Sequence, residues 1–241
     1  MYNHLINIAK LNQKYIDTNS IVIPKTTEIK YGTVPIKPTP ITSHTRVFFE
    51  TFKTDDCAIH YLDTNMSDNV VIMNFASRRH PGGGYVNGAR AQEEDLCRVM
   101  PQLYPSLKKL HYPYDKDSIL LTPELSILRN SDNYNFLSSK SNYVVGVVSA
   151  AAQNLRHEIF DGNQIKRTLQ NLYVSTKYYL PNTDTLILGA WGCGAFDNDP
   201  YVMSRIMNEI NLEYGGLYET IVFSVPEGVN ANEFRENIKL F

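Results

Sequence analysis

The sequence is poor in the features that mark secreted, membrane and nucleic-acid-coating proteins. Its 241 residues include only three cysteines, Cys57, Cys97 and Cys193, which lie far apart without paired spacing. We therefore expect a reducing compartment, with neither a disulfide framework nor a structural zinc site. No apolar run is long enough to span a bilayer, and residues 1–15 lack the apolar core of a signal peptide. These absences predict an intracellular, cytoplasmic protein, with the nucleus as an alternative, and no membrane partner.

The chain also lacks an excess of charge of either sign. It carries 23 basic and 25 acidic side chains, a formal net charge of −2, whereas proteins that coat DNA or RNA carry a clear basic excess. We therefore expect no sequence-specific nucleic-acid partner. Since 43% of the residues are hydrophobic and no composition break divides the chain, we predict a single domain over residues 1–241 and a monomer. Residues 1–44 are expected to form an N-terminal helix and an extended loop, and 45–241 the core.

Buried strands alternate with amphipathic helices along that core. Five apolar, β-branched runs predict strands, at 45–52, 70–76, 143–149, 185–190 and 220–225. Apolar residues at helical spacing predict helices over 1–16, 165–180 and 202–210. The pattern indicates an α/β sandwich around a mixed, largely parallel sheet. Residues 118–129 are predicted to form a hairpin, which would add antiparallel pairing.

The first of two glycine-rich loops follows the predicted strand at 70–76. Gly82, Gly83 and Gly84 remove every Cβ from the turn, so that a ligand can approach the backbone closely. Gln92, Glu93 and Glu94 follow and open a predicted helix. Acidic residues in a first helical turn gain from the helix dipole, which is an explanation that needs no catalysis.

The second loop, residues 189–200, leaves the predicted strand at 185–190. It enters a helix expected to start at Pro200 and to be capped by Asp199. A glycine-rich turn of this kind presents backbone N–H groups and a positive helix end, which suit a phosphate. Neither loop has the Lys-Ser or Lys-Thr of a Walker A motif, and each alone is also compatible with a tight structural turn.

The two loops together resemble those of a known enzyme family. Gly82-Gly83-Gly84 followed by Gln92-Glu93-Glu94 resembles the GGG…QEE motif of poly(ADP-ribose) glycohydrolases, and the flanking NFAS (74–77) and LCR (96–98) resemble its compact microbial type. The GAWGCGAFDNDP segment (189–200) resembles the second ligand loop of that family. The resemblance covers roughly residues 45–225. It implies a macrodomain-like three-layer α/β/α sandwich, an ADP-ribose ligand and hydrolysis of ribose–ribose O-glycosidic bonds.

The resemblance also implies a role for each loop residue. Glu94 would be the catalytic glutamate, and Glu93 would orient the ribose hydroxyls. Phe196 would lie against the terminal ribose, the amides around it would bind the diphosphate, and Asn74 would touch the distal ribose. The implied substrate-binding residues are Asn74, Gly82, Gly83, Gly84, Gln92, Gly192, Cys193, Gly194, Ala195 and Phe196.

The chemistry of glycosidic cleavage agrees with these roles. The departing oxygen needs a proton, which a carboxyl group supplies near neutrality only when its surroundings favour the protonated form. A neighbouring carboxylate and a bound diphosphate both act in that direction on Glu94. No metal and no cofactor are required. The expected partners are poly(ADP-ribose) or an ADP-ribosylated protein, with cleavage from chain termini and ADP-ribose as the product.

Other interpretations of the site remain open. The chain would be an ADP-ribose reader if it bound the ligand without turning it over, although a reader does not need the Glu93–Glu94 pair. Cys193 would be a nucleophile if His80 or His157 lay beside it, but a loop cysteine is more often packing. The cations Arg78, Arg79, His80 and Arg90 form either a solvated rim or an attractive surface for a polyanion. Trp191 is expected in the core.

Overall fold

The computed structural model describes residues 2–34, 40 and 44–240. The loop predicted over residues 18–44 therefore lies partly outside the described residues, at 35–39 and 41–43. Within the described part of that segment, Thr27–Ile29 forms a short strand that the prediction of an extended loop did not include.

A sheet of seven strands occupies the centre of the described residues, in the order β1-β4-β5-β3-β6-β7-β2. The strands are β1 (Thr27–Ile29), β2 (Arg46–Glu50), β3 (Val70–Phe75), β4 (Ile119–Ile127), β5 (Tyr143–Ala150), β6 (Thr185–Leu188) and β7 (Thr220–Ser224). β4 runs antiparallel to both β1 and β5, and the other neighbouring pairs are parallel. The carboxyl ends of β2, β3, β5, β6 and β7 therefore meet at one edge of the sheet.

Helices cover both faces of this sheet. They are α1 (Tyr2–Thr18), α2 (Thr54–Asp63), α3 (Gln92–Val99), α4 (Leu103–Leu107), α5 (Gly162–Tyr179), α6 (Pro200–Tyr214) and α7 (Val229–Asn237). Successive strand residues point to opposite faces, so that Met73 packs in one apolar core with α5, α6 and α7, while Ile72 packs in the other with α2, α3 and α4. Two buried cores on one sheet confirm the predicted three-layer α/β/α sandwich.

The five predicted strands of the core are confirmed as β2, β3, β5, β6 and β7, but the predicted hairpin is wrong. Residues 118–129 instead contribute one strand, β4, whose register with β5 shifts between Thr122 and Leu125. Pro123 and Glu124 lie exposed at this irregularity. A proline that cannot donate to the ladder is tolerated at such a bulge, so Pro123 marks a break in pairing within one strand. The antiparallel pairing itself is confirmed.

The N-terminal helix packs on the core through a buried polar contact. Asn12 is 1% exposed and donates to Tyr85 Oη (3.1 Å), Cys97 O (3.3 Å) and Arg98 O (3.0 Å). Its own oxygen accepts a hydrogen bond from Arg129 Nε at 2.7 Å. These contacts and the pairing of β1 with β4 support the single-domain prediction, which stays a prediction. Within the described residues, no helix combines the length and the apolar character needed to cross a bilayer.

Candidate active site

A cleft of about 630 Å³ lies at the carboxyl edge of the sheet, over the ends of β3, β6, β7 and β2. Both glycine-rich loops contribute to its walls, so the structure brings together the two motifs that are about 100 residues apart in the sequence. Its lining includes Lys53, Thr54, Asp55, Phe75, Ser77, Gly83, Arg90, Ala91, Gln92, Glu93, Glu94, Ala152, Trp191, Gly192, Cys193, Gly194, Ala195, Phe196, Ser224 and Val225. The size falls within the range of about 300 to 1,000 Å³ that is typical of small-molecule sites.

The first loop holds the carboxyl group of Glu94 at the floor of this cleft. Gly84 N donates to Glu94 Oε1 at 2.8 Å, and Glu94 is 7% exposed. Gly83 adopts φ +58°, and a Cβ placed there would lie 2.4 Å from Glu94 Oε1. Glycine is therefore required at this position both by the backbone conformation and by the nearby carboxylate. The other oxygen, Glu94 Oε2, is buried and has no hydrogen-bond partner among the described residues.

Glu93 differs from Glu94 in that the protein satisfies both of its oxygens. Ser77 N donates to Glu93 Oε2 at 2.7 Å, and Asn74 Nδ2 donates to Glu93 Oε1 at 3.3 Å. Burial raises the pKa of Glu93 to about 8, although these hydrogen bonds lower it and the charge of Glu94 adds to the rise. The sequence predicted the protonated carboxyl at Glu94, whereas the raised pKa falls on Glu93. The protonation of Glu94 stays a prediction.

Two residues predicted to touch the substrate also form hydrogen bonds within the protein. Asn74 is fully buried and donates to Ser149 Oγ as well as to Glu93, which places it beneath the glutamate rather than in the cleft wall. Gln92 accepts from Phe75 N (2.8 Å) and donates to Met73 O (2.7 Å), so that its amide fixes α3 to the end of β3. Their geometry supports positioning roles, and their predicted contacts with substrate stay untested.

The second loop presents backbone donors to the cleft. The amides of Gly194, Ala195 and Phe196 donate no hydrogen bond within the described part of the chain, and the loop lies just ahead of α6. Asp199 caps that helix by accepting from the amides of residues 201 and 202, and the helix starts at Pro200, as predicted. Unused N–H groups that converge near a helix start are suited to an anion such as a phosphate.

The shape of this loop depends on an asparagine that the sequence did not single out. Asn198 is 2% exposed, and its Nδ2 donates to Gln153 O (2.8 Å) and Gly192 O (3.2 Å). Gly192 adopts φ +79°, and a Cβ there would lie 2.7 Å from Asn198 Nδ2. Because the bonds run to carbonyl groups of two different loops, no local sequence pattern could have predicted them.

The remaining residues of the second loop divide between core and cleft. Trp191 is fully buried and donates from Nε1 to Ala150 O at 3.0 Å, which confirms its prediction as a core residue. Phe196 is half-buried and faces the cleft. Burial raises the pKa of the Cys193 thiol to about 12, so the thiolate that a nucleophile needs is scarcely populated at neutral pH. The structure therefore favours packing over catalysis for this cysteine.

A third carboxyl group lines the cleft and was missed in the sequence. Asp55, at the start of α2, is 2% exposed, and its Oδ2 has no hydrogen-bond partner among the described residues. Burial, followed by the charge of Asp56, raises its pKa to about 7. This carboxyl lies on α2, the helix that follows β2 and that was not predicted from the sequence. Within the described residues, no cluster of three or more His, Cys, Asp or Glu side chains is arranged to hold a metal ion.

A buried arginine connects the helix that carries the glutamates to the first loop. Arg98 is fully buried, donates to Ala89 O and pairs with Asp95 at 2.8 Å. Its guanidinium group also lies 5.9 Å from the centre of the Tyr85 ring. Together with Asn12, which reaches the same tyrosine, Arg98 holds both ends of the segment between Gly84 and Glu94. The LCR motif that contributed to the resemblance therefore has a structural role here.

Comparisons with known proteins agree with this geometry. The family model of the microbial-type PARG catalytic domain matches residues 8–143, more than half of the chain. The crystal structure of poly(ADP-ribose) glycohydrolase from Thermomonospora curvata superposes with a TM-score of 0.78 over 97% of this chain and 98% of that chain, at 24% identity. The enzyme from Deinococcus radiodurans in complex with ADP-ribose superposes with a TM-score of 0.65 at 26% identity, over 81% and 85%. No curated protein matches the chain significantly.

The family model covers β1 to β4 and the whole GGG…QEE loop, and the full-length structural likeness extends the fold to the second loop. The predicted macrodomain-like fold is thereby confirmed. The chain belongs to the family of microbial-type poly(ADP-ribose) glycohydrolase (PARG) catalytic domains.

Proposed function

We propose that this poly(ADP-ribose) glycohydrolase removes ADP-ribose units from chain termini, with Glu94 as the general acid and base. The observation that carries the proposal is the unequal use of the two glutamates. Glu93 gives both oxygens to protein donors, whereas Glu94 is fixed through Oε1 alone and keeps Oε2 without a protein partner. Glu94 is therefore the carboxyl that can exchange a proton with the substrate.

The two glutamates divide the work of cleavage. Glu94 protonates the oxygen that leaves from the anomeric carbon, and positive charge then develops on the ribose ring. After departure of the chain, the ionised Glu94 accepts a proton from the water that attacks the same carbon. General acid–base catalysis of this kind contributes about 10² to 10⁴-fold to the rate. Glu93, which burial and hydrogen bonds hold rigidly, orients the ribose hydroxyls.

The order of the strands supports an order of subsites across the cleft. The glutamates follow β3, the unused amides of residues 194–196 follow β6, and Asp55 lies beside the ends of β2 and β7. An ADP-ribose unit laid along this edge places its distal ribose at Glu94, its diphosphate at the amides and its adenine at Asp55. The unpartnered Asp55 Oδ2 is suited to accept a hydrogen bond from the exocyclic amine of the base.

The size of the cleft supports action at chain termini. Its volume of about 630 Å³ accommodates one ADP-ribose unit rather than two. The terminal unit can fill the cleft, and the rest of the chain then leaves beside β3. A cleft that admitted internal units would need a second exit at the end that faces Asp55.

The test is a time course of products from purified poly(ADP-ribose) chains. We expect free ADP-ribose from the first time points, with gradual shortening of the long chains. Early release of oligomers would refute cleavage at termini. The absence of any product would contradict the enzyme assignment and leave the ADP-ribose reader, which neither the family match nor the structural neighbours support.

A further inference from the structure

A second cleft, of about 700 Å³, opens at the same edge of the sheet as the active cleft. Lys30 and Tyr31 follow the end of β1, residues 115–118 precede β4, and Gln153 follows β5. Because β4 runs antiparallel to its neighbours, its first residue lies at the edge where β1 and β5 end. In the strand order, this cleft lies on one side of β3, and the strands β6, β7 and β2, which end at the active cleft, lie on the other side.

The two clefts share walls beside β3. Ala152 lines the active cleft, and the next residue, Gln153, lines the second cleft. Arg78, on the first glycine-rich loop, donates from Nη1 to Tyr114 O at 3.2 Å, and the next residue, Asp115, lines the second cleft. Both connections lie on the loops that follow β5 and β3, and the loop after β3 leads to the two glutamates.

The lining of the second cleft is polar and carries charges of both signs. Lys30, Lys116 and Arg167 contribute cations, and each is paired with a carboxylate at 2.7 to 3.0 Å. These cationic side chains are 39 to 67% exposed, and exposed ion pairs contribute little, so that a phosphate can replace a carboxylate at small cost. The three acidic residues of the lining, Asp115, Asp117 and Asp161, balance the cations within the cleft itself.

Two exposed arginines follow strands that end at the same edge of the sheet. Arg79 and Arg156 are exposed and form no ion pair within the described ranges, and they lie on the loops that follow β3 and β5. Ile159 also lines the second cleft, with 94% of its surface exposed. Such exposure gives this side chain no role in the stability of the fold, but it offers an apolar surface to a base.

We propose that the second cleft binds the ADP-ribose unit that precedes the one being removed, with its diphosphate near Lys116 and its base against Ile159. This inference rests on the proposed function, because it assumes that the terminal unit fills the active cleft. The subsite takes no part in bond cleavage. It only increases the affinity for chains of two or more units. It therefore predicts a lower KM for chains than for any substrate that consists of a single unit.

The test compares two substrates that share the terminal unit and differ in the group attached to its anomeric carbon. One is a chain of two ADP-ribose units, and the other is a single ADP-ribose with a nitrophenyl group on its anomeric carbon. We expect Lys116→Ala and Ile159→Asp each to raise KM for the two-unit chain by about fivefold, which corresponds to about 1 kcal/mol. KM for the single-unit substrate stays at the wild-type value, and kcat is unchanged for both substrates.

Lys166→Ala is the matched control, since Lys166 lies on α5, is paired with Glu209 and lines neither cleft. We expect it to leave both KM values unchanged. Wild-type KM for the two-unit chain in both test variants would overturn the proposal, and so would an equal rise for both substrates. If the wild-type protein hydrolyses neither substrate, the proposed function itself fails, which is a different result from a lost preference for chains.

Discussion

A methyl group added at Gly83 would collide with the carboxyl group of Glu94, the proposed general acid and base. The Cβ would lie 2.4 Å from Glu94 Oε1 and 3.2 Å from Glu93 Oε2. Since Gly84 N holds Glu94 Oε1 from one side, the carboxylate has to give up this hydrogen bond to escape. A displacement of the order of 1 Å costs about 10²-fold in rate, and we expect at least this loss in kcat for Gly83→Ala.

The backbone contributes a separate, smaller effect, which a control variant isolates. Gly83 has φ +58°, and a non-glycine residue in this left-handed conformation costs roughly 1–2 kcal/mol of stability. Gly32 has φ +79°, with no atom within 4 Å of the added Cβ, so Gly32→Ala carries the same backbone penalty without the collision. We would measure kcat on poly(ADP-ribose) and the free energy of unfolding in urea for both variants. Wild-type kcat in Gly83→Ala, or an equal loss of kcat in Gly32→Ala, would refute the reasoning.

Three further predictions follow from buried groups. Burial raises the pKa of Glu93 from 4.5 to about 8, so the folded state binds this proton more tightly, and wild-type stability present below pH 4.5 is lost as pH rises towards 8. Each pKa unit corresponds to about 1.4 kcal/mol. Because Glu93→Gln cannot lose this proton, its free energy of unfolding in urea should rise relative to that of the wild type between pH 5 and pH 8. The same difference in unfolding free energy at both pH values would contradict this. Asn12→Leu leaves Arg129 without its buried acceptor, and we expect a loss of about 1–3 kcal/mol in unfolding free energy together with a lower kcat per folded molecule. The control is Ile8→Ala on the same helix, which should lower the free energy of unfolding without changing kcat. If Ile8→Ala and Asn12→Leu lowered kcat equally, Asn12 would have no positioning role. Cys193→Ala should keep wild-type kcat because its thiolate is scarcely populated, and a loss of about 10²-fold or more would revive the nucleophile.

Much of the sheet could be predicted because its strands are buried on both faces. Val70–Phe75 and Tyr143–Ala150 are largely apolar and β-branched, and near-continuous runs of this kind are typical of strands buried on both faces. α2 was missed although Thr54–Asp63 carries Asp55 and Asp56 in its first turn and buries Cys57, Ala58 and Tyr61 at helical spacing, which are signals of a helix that the sequence does contain. β4 was mistaken for a hairpin because only its pairing with β5, which one sequence does not reveal, shows that the irregularity at Pro123 is a bulge within one strand.

The part of the candidate site that is local in sequence could be predicted. The GGG…QEE motif is local, so the sequence alone brought Gly83 close to Glu94. Asn12 contacts Tyr85 and Arg129, which lie 73 and 117 positions further along the chain, and such distant contacts leave no pattern in one sequence. The raised pKa of Glu93 is likewise a result of burial, which spacing along the chain does not encode.

The most direct test of the account is the comparison of catalysis and binding in Glu94→Gln. The amide keeps the size of the side chain and can still accept from Gly84 N, but it cannot donate a proton to the leaving oxygen. We predict a fall in kcat of about 10² to 10⁴-fold, with the calorimetric Kd for ADP-ribose unchanged, because the proposed contacts of the diphosphate are the amides of the second loop. A wild-type kcat in this variant would contradict the central role of Glu94.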